Sequence, residues 1–190
     1  TNSSISDIQW VQASLPIRDG GLGIRRATSL ALPAFLASAA STAPLQLRIL
    51  GPSGNSPDSA VEAARASWSA LCGATIPDNI HSQRAWETPC REKDMSSILD
   101  AATSTVDKAR VLASRSEHCG DWLQVLPISR CGLRLDDEAI RVAVGLRLGL
   151  NLCAVHRCPC GADVDARGIH GLSCKQSSGR AARHQQINDL

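Results

Sequence analysis

Apolar residues recur along most of this chain at the three- and four-residue spacing of a helix face, and short polar, glycine- and proline-rich breaks divide them. Residues 5–12 predict a short strand or helix. Leu15, Ile17, Leu22 and Ile24 flank a Pro16…Asp19-Gly20-Gly21 turn and predict a small hairpin. From Arg26 to Ala43 the chain is small, apolar and alanine-rich, as a helix prefers. Pro33 within it either opens a helix that starts near Ala31 or kinks a longer one.

Residues 51–59, Gly-Pro-Ser-Gly-Asn-Ser-Pro-Asp-Ser, read as a linker. Asp58 or Ser59 can cap a helix over 59–73 with Val61, Ala64, Trp68 and Leu71 on one face and Gly73 as its stop. The stretch from Pro77 to Pro89 gives no clear period. A helix over about 92–113 follows from Met95, Ile98, Leu99, Ala102, Val106, Ala109 and Leu112, and Cys119-Gly120 breaks the pattern. Residues 122–127 form a short apolar stretch. Asp136 or Asp137 then caps a helix through Leu148, with an acidic first turn that suits the helix dipole. Beyond Gly149 the chain reads as irregular to about Ser178, and a final helix runs toward Leu190. The predicted fold is mainly α: a helical bundle followed by a small irregular metal-stapled unit.

Composition sharpens this picture. Of 190 residues, 43% are apolar and 20% charged, which is globular composition. Four Trp, one Phe and no Tyr make the core aliphatic and exclude tyrosine-nucleophile chemistry. Net charge is +2; the chain is mildly acidic over 51–125 and leans positive only toward its ends. No apolar run is expected to reach the roughly 20 residues that span a bilayer, so no membrane partner is expected. The start, Thr1-Asn2-Ser3-Ser4, reads as the interior of a longer chain.

The eight cysteines are unevenly placed. Cys72, Cys90, Cys119, Cys131 and Cys153 are scattered and read as ordinary small buried residues in a reducing compartment. Cys158, Cys160 and Cys174 crowd around His170 as Cys-x-Cys, nine residues, His, three residues, Cys. Three thiolates and an imidazole suit tetrahedral Zn²⁺. Gly161 lets the chain turn after Cys160, and Gly168 and Gly171 do the same around His170. So short a segment cannot bury enough apolar area to fold alone, and ligation would supply the difference. Four protein ligands leave no open position, so the zinc reads as structural. The first pair is one residue tighter than usual, and Cys153, His156 or His184 could replace a ligand. Unligated or disulfide-bonded cysteines are the plain alternative.

Other residues have bland readings. Asp136-Asp137-Glu138 point in different directions on a helix and read as its start rather than a carboxylate trio. Trp68 and Trp122 sit in apolar context and read as core. The adjacent His118 and Cys119 lack an orienting acid and do not read as a nucleophile pair.

Three segments together resemble a known family. They are Leu15-Pro16-x-x-x-Gly20-Gly21-Leu22-Gly23-Ile24-Arg25; Gly132-Leu133-Arg134-Leu135-Asp136-Asp137-Glu138 with Arg141 to Gly149; and Cys158-x-Cys160-Gly161 with Gly168-x-His170-Gly171-Leu172-x-Cys174, then Gly179-Arg180 and Arg183-His184. In this order they resemble the reverse transcriptases of non-LTR retrotransposons, in the lineage that carries a restriction-like endonuclease. The resemblance implies a post-palm, thumb-like segment at 1–50, a linker at 51–59 and a helical linker domain at 60–150. A zinc-knuckle-like unit at 151–178 and the start of the next helix at 179–190 follow. The parent would be an RNA-directed DNA polymerase.

The family's aromatic-Ala-Asp-Asp turn is missing, since Phe35 is followed by Leu-Ala. Pro57-Asp58 and Pro77-Asp78 lie upstream of the knuckle and read as turns rather than nuclease motifs. The resemblance therefore implies a non-catalytic fragment that holds template or target RNA or DNA, inside the cell in nucleus or cytoplasm, beside the rest of its polyprotein. Lys175, Arg180, Arg183, Arg134, Arg141 and Arg147 are the expected phosphate contacts. The rival reading is a helical protein–protein interaction scaffold with a structural zinc, which the weak net charge favours.

Overall fold

The computed structural model describes residues 4–51 and 59–176. Among them are seven helices: α1 Asp7–Ser14, α2 Ala27–Leu50, α3 Ser59–Cys72, α4 Gln83–Ala101, α5 Thr105–Ala113, α6 Asp137–Leu148 and α7 His170–Ser173. One antiparallel pair, β1 His156–Arg157 with β2 Asp163–Val164, is the only sheet in the described residues. The fold is mainly α, as predicted, with a small irregular unit at its end.

Local chemistry explains the helix starts. Ser6 and Gln9 close a reciprocal capping box on α1. Ser82, Ser104 and Asp136 each accept a backbone N–H at the head of α4, α5 and α6. The acidic trio is thus a helix start: Asp136 caps, and Asp137 and Glu138 fill the first turn. Helix α2 begins at Ala27, well before Pro33, and encloses both Pro33 and Pro44. With Arg48 its sole charge, α2 is long and apolar enough to cross a membrane by length and composition, against the expectation that no such run exists. Its first half is packed instead, with Pro33, Leu36 and Ala37 buried.

Two expected elements take a different form. The expected hairpin at 15–24 is a 3-10 turn, Ile17–Asp19, that folds back on the end of α1. Leu22 N–H donates to Ala13 O, and Gly23 N–H to Leu15 O. Gly20 has φ +89°, and a Cβ on Gly21 would lie 2.0 Å from Leu15 O, so both glycines are required by the fold-back. The helix expected over 92–113 starts earlier, at Gln83, and breaks at 102–104 into α4 and α5. The break rotates the inward face. Val106, Ala109 and Leu112 are exposed, and Val111 is buried instead.

Three small apolar clusters result. In the first, Trp68 and Trp86 meet edge to face at 4.8 Å with Leu36, Ala37, Ala64 and Cys72 around them. Each indole N–H finds a carbonyl, Trp68 that of Trp86 and Trp86 that of Ile80. Leu71, expected inward, is half exposed, and Cys72 takes the inward place. Cys72 is disulfide-bonded to Cys90, so the expectation of five unpaired cysteines fails at these two. It fails on burial at Cys119, Cys131 and Cys153, which are exposed. The second cluster is Leu15, Met95, Ile98 and Val111; the third is Ala13, Leu148 and Leu150. Trp122 is only half-buried and joins none of them. Leu36 packs with Trp68, and Ala13 with Leu148, so the cores run across the expected boundary at 51–59. The middle of that linker and the final helix expected at 179–190 lie outside the described residues.

Candidate metal centre

The terminal unit is built from three turns. Between β1 and β2 the chain reverses at Cys158-Pro159-Cys160-Gly161. Gly161 N–H donates to Cys158 O at 2.8 Å, and Cys158 N–H to Ala162 O at 2.9 Å. Gly161 adopts φ +92°, which a residue with Cβ resists. After β2, Gly168 N–H donates to the Asp165 carbonyl and its carboxylate, and Gly168 turns with φ +69°. The single turn α7 then sets His170 and Cys174 on one side, and Cys174 N–H donates to His170 O. Gly171 lies within α7 and needs no left-handed conformation.

These turns bring four groups from one 17-residue stretch together. Cys158 Sγ lies 3.6 Å from Cys174 Sγ, and Cys160 Sγ lies 3.2 Å from His170 Nε2. All four ligand atoms fall within 4.8 Å of one another. A tetrahedral ion with metal–sulfur bonds near 2.3 Å separates its sulfurs by about 3.8 Å, so the cluster has the right size to hold one metal ion. Three thiols and an imidazole are a soft donor set. Bonds to the Ala162 backbone N–H, then to the neighbouring thiols and His170, lower the Cys160 thiol to about 7. The Cys160 backbone N–H acts to lower Cys158, but its thiol contacts and desolvation outweigh it and raise that group. Deprotonation, which ligation requires, is therefore easier at Cys160 than at Cys158.

The alternative ligands do not converge here. Cys153 Sγ donates to the Asp165 and Ala166 carbonyls, and His156 Nδ1 lies against Ala154 O. Neither belongs to the four-atom cluster. His184 lies outside the described residues.

The six expected phosphate contacts fare unequally. Arg147 is only 7% exposed, and its guanidinium donates to Ile17 O, Gly21 O and Cys119 O. A buried charge with three carbonyl partners is a structural staple, and the expectation of a phosphate contact is corrected. Arg141 is also engaged, in a two-pronged pair with Glu138 and a bond to Leu152 O. Arg134 and Lys175 are exposed. Arg180 and Arg183 lie outside the described residues.

Sequence reasoning missed Arg167, which sits between the metal-cluster residues and pairs with Asp107 on α5. That hydrogen bond, then one from Ser104, holds the Asp107 carboxyl below its ordinary range. Only its place between Cys160 and His170, where ligation would fix it, could have drawn attention to it. Comparison with family models, curated proteins and solved structures gives no match to this chain.

Proposed function

We propose that this chain is a non-catalytic segment of a retroelement reverse transcriptase whose terminal unit binds one structural Zn²⁺ and helps hold template or target nucleic acid. The convergence of Cys158, Cys160, His170 and Cys174 within 4.8 Å supports the reading most directly. It falls where the resemblance puts the zinc knuckle. A closed set of four protein donors orders a short unit and leaves no position for substrate.

Phosphate binding is then assigned to the remaining cations of the expected set. Lys175 follows Cys174 directly, Arg180 and Arg183 come next in sequence, and Arg134 is exposed before α6. Arg147 is set aside from this role by its burial on three carbonyls, and Arg141 is already engaged with Glu138 and Leu152 O. Neutralising about three phosphates gives a log–log salt slope near −3 on duplex DNA, and near −2 on single strands. Replacing Arg180 and Arg183 with Ala should flatten the slope by about two and weaken all sequences alike. Fluorescence anisotropy at several salt concentrations, wild type against double variant, measures both. Superimposable curves, or no binding at low salt, overturn the nucleic-acid reading.

One observation favours a second reading. Every residue from 41 to 50 is exposed, including Leu45, Leu47, Ile49 and Leu50 on the far half of α2. An apolar helix end of this kind suits contact with another protein, so this chain would serve as a helical scaffold.

A further inference from the structure

Arg167 occupies a particular position: seven residues after Cys160 and three before His170. It lies in a loop flanked by two metal-ligand candidates, Cys160 and His170. From there its guanidinium crosses to Asp107 in the first turn of α5. Asp107 is tied to Ser104, the α5 cap, and lies 3.9 Å from Arg110. Arg110 donates to Gln12 Oε1 and to Arg147 O. Gln12 donates in turn to Gly20 O, and the Arg147 guanidinium to Ile17 O and Gly21 O. A series of polar contacts, one of them the 3.9 Å ion pair between Asp107 and Arg110, thus runs from the Arg167 loop through α5 and α6 to the glycine fold-back at 15–24.

Backbone and packing join the same two bodies. Leu152 and Cys153 N–H groups both donate to Ala166 O, and Arg141 on α6 donates to Leu152 O. Leu152 packs so closely on α6 that a Cβ on Gly145 would lie 2.1 Å from it. Within 156–174 only Val164 and Cys174 are buried, too little apolar area to fold this unit unaided.

We propose that the metal cluster works as a clasp: metal binding sets Arg167 against Asp107 and so holds α5, α6 and the 15–24 fold-back in their packed arrangement. This rests on the metal reading above and extends it to the bundle. Without the metal, residues 158–174 lose the ligation that fixes both ends of the Arg167 loop. The Arg167–Asp107 pair and the Ala166 bonds then go together, because one loop carries both. Arg167 is a positioning residue in this scheme and not a metal ligand.

Hydrogen exchange by mass spectrometry on the full chain tests it, with Zn²⁺ added or removed by chelation and bound zinc counted first. Removal should speed exchange by about tenfold or more at 105–113 and 141–152, as well as at 156–176. Arg167→Ala should still bind one zinc, yet exchange quickly at 105–113 with the metal in place, and removal should add little there. Asp107→Asn, which keeps the side-chain shape, should behave likewise. Zinc-dependent exchange confined to 156–176, or wild-type protection at 105–113 in zinc-loaded Arg167→Ala and Asp107→Asn, would overturn the clasp and leave the metal reading standing. A chain that takes up no zinc overturns both.

Discussion

Arg147 brings a full charge into the interior with no carboxylate to meet it. Three backbone carbonyls, those of Ile17, Gly21 and Cys119, receive its guanidinium, and the fold-back at 15–24 closes on them. Truncating it would strand the Gly21 and Cys119 carbonyls at about 1–3 kcal/mol each, while Ile17 O keeps the Gly20 N–H. Arg147→Ala should therefore cost about 2 kcal/mol or more in urea unfolding, and Arg147→Lys should recover only part, because one ammonium cannot reach all three carbonyls. A loss within about 0.5 kcal/mol, the range of ordinary surface substitutions, would contradict this role.

The sequence held a clue to this placement. Val144, Arg147 and Leu148 share a helix face, and Val144 and Leu148 both join a core cluster. Charge counting hid it, because a charge count does not say which face a side chain takes. Cys72 was similarly misleading. Helical periodicity favoured Leu71, but Cys90 on the next helix, 18 residues on, turned Cys72 inward. Such pairings across elements leave no local trace in a sequence.

At the scale of elements, α6 was legible from end to end, whereas the starts of α4 and α5 were not, although Ser82 and Ser104 cap them. Asp136 through Leu148 with Gly149 as its stop follows from cap, periodicity and left-handed terminus together. The 102–104 break was hidden because the apolar repeat continues through it, although Ser104 and Asp107 carry a capping signal of their own. That short cap region now bears an electrostatic duty. Asp107 is held below its ordinary range first by Arg167 and then by Ser104. A depressed folded pKa gives stability that is fully present above the unfolded value near 3.9 and is lost as pH falls through the folded value. The stability difference between wild type and Asp107→Asn should thus be constant above about pH 5 and shrink below about pH 4. Urea midpoints measured across that range would show it; a gap that stays constant to about pH 2 would contradict the assignment.

The whole molecule departs most from the sequence reading in how its parts connect. The Cys/His spacing alone picked out the four clustered residues, because ligand spacing in a short turn-rich segment is local information. The docking of that segment is not local: Arg167 reaches a partner 60 residues away. A Cys/His unit that looks separable along the chain is therefore bound into the bundle.

The central claim is a closed zinc centre made by Cys158, Cys160, His170 and Cys174. X-ray absorption at the zinc edge, on protein purified without added metal and counted by elemental analysis, tests it most directly. The account predicts about one zinc per chain, with three sulfurs near 2.3 Å and one nitrogen near 2.0 Å, the nitrogen lost in His170→Ala. A metal-free chain with residues 156–176 still ordered, or a zinc bound by four sulfurs, would contradict it.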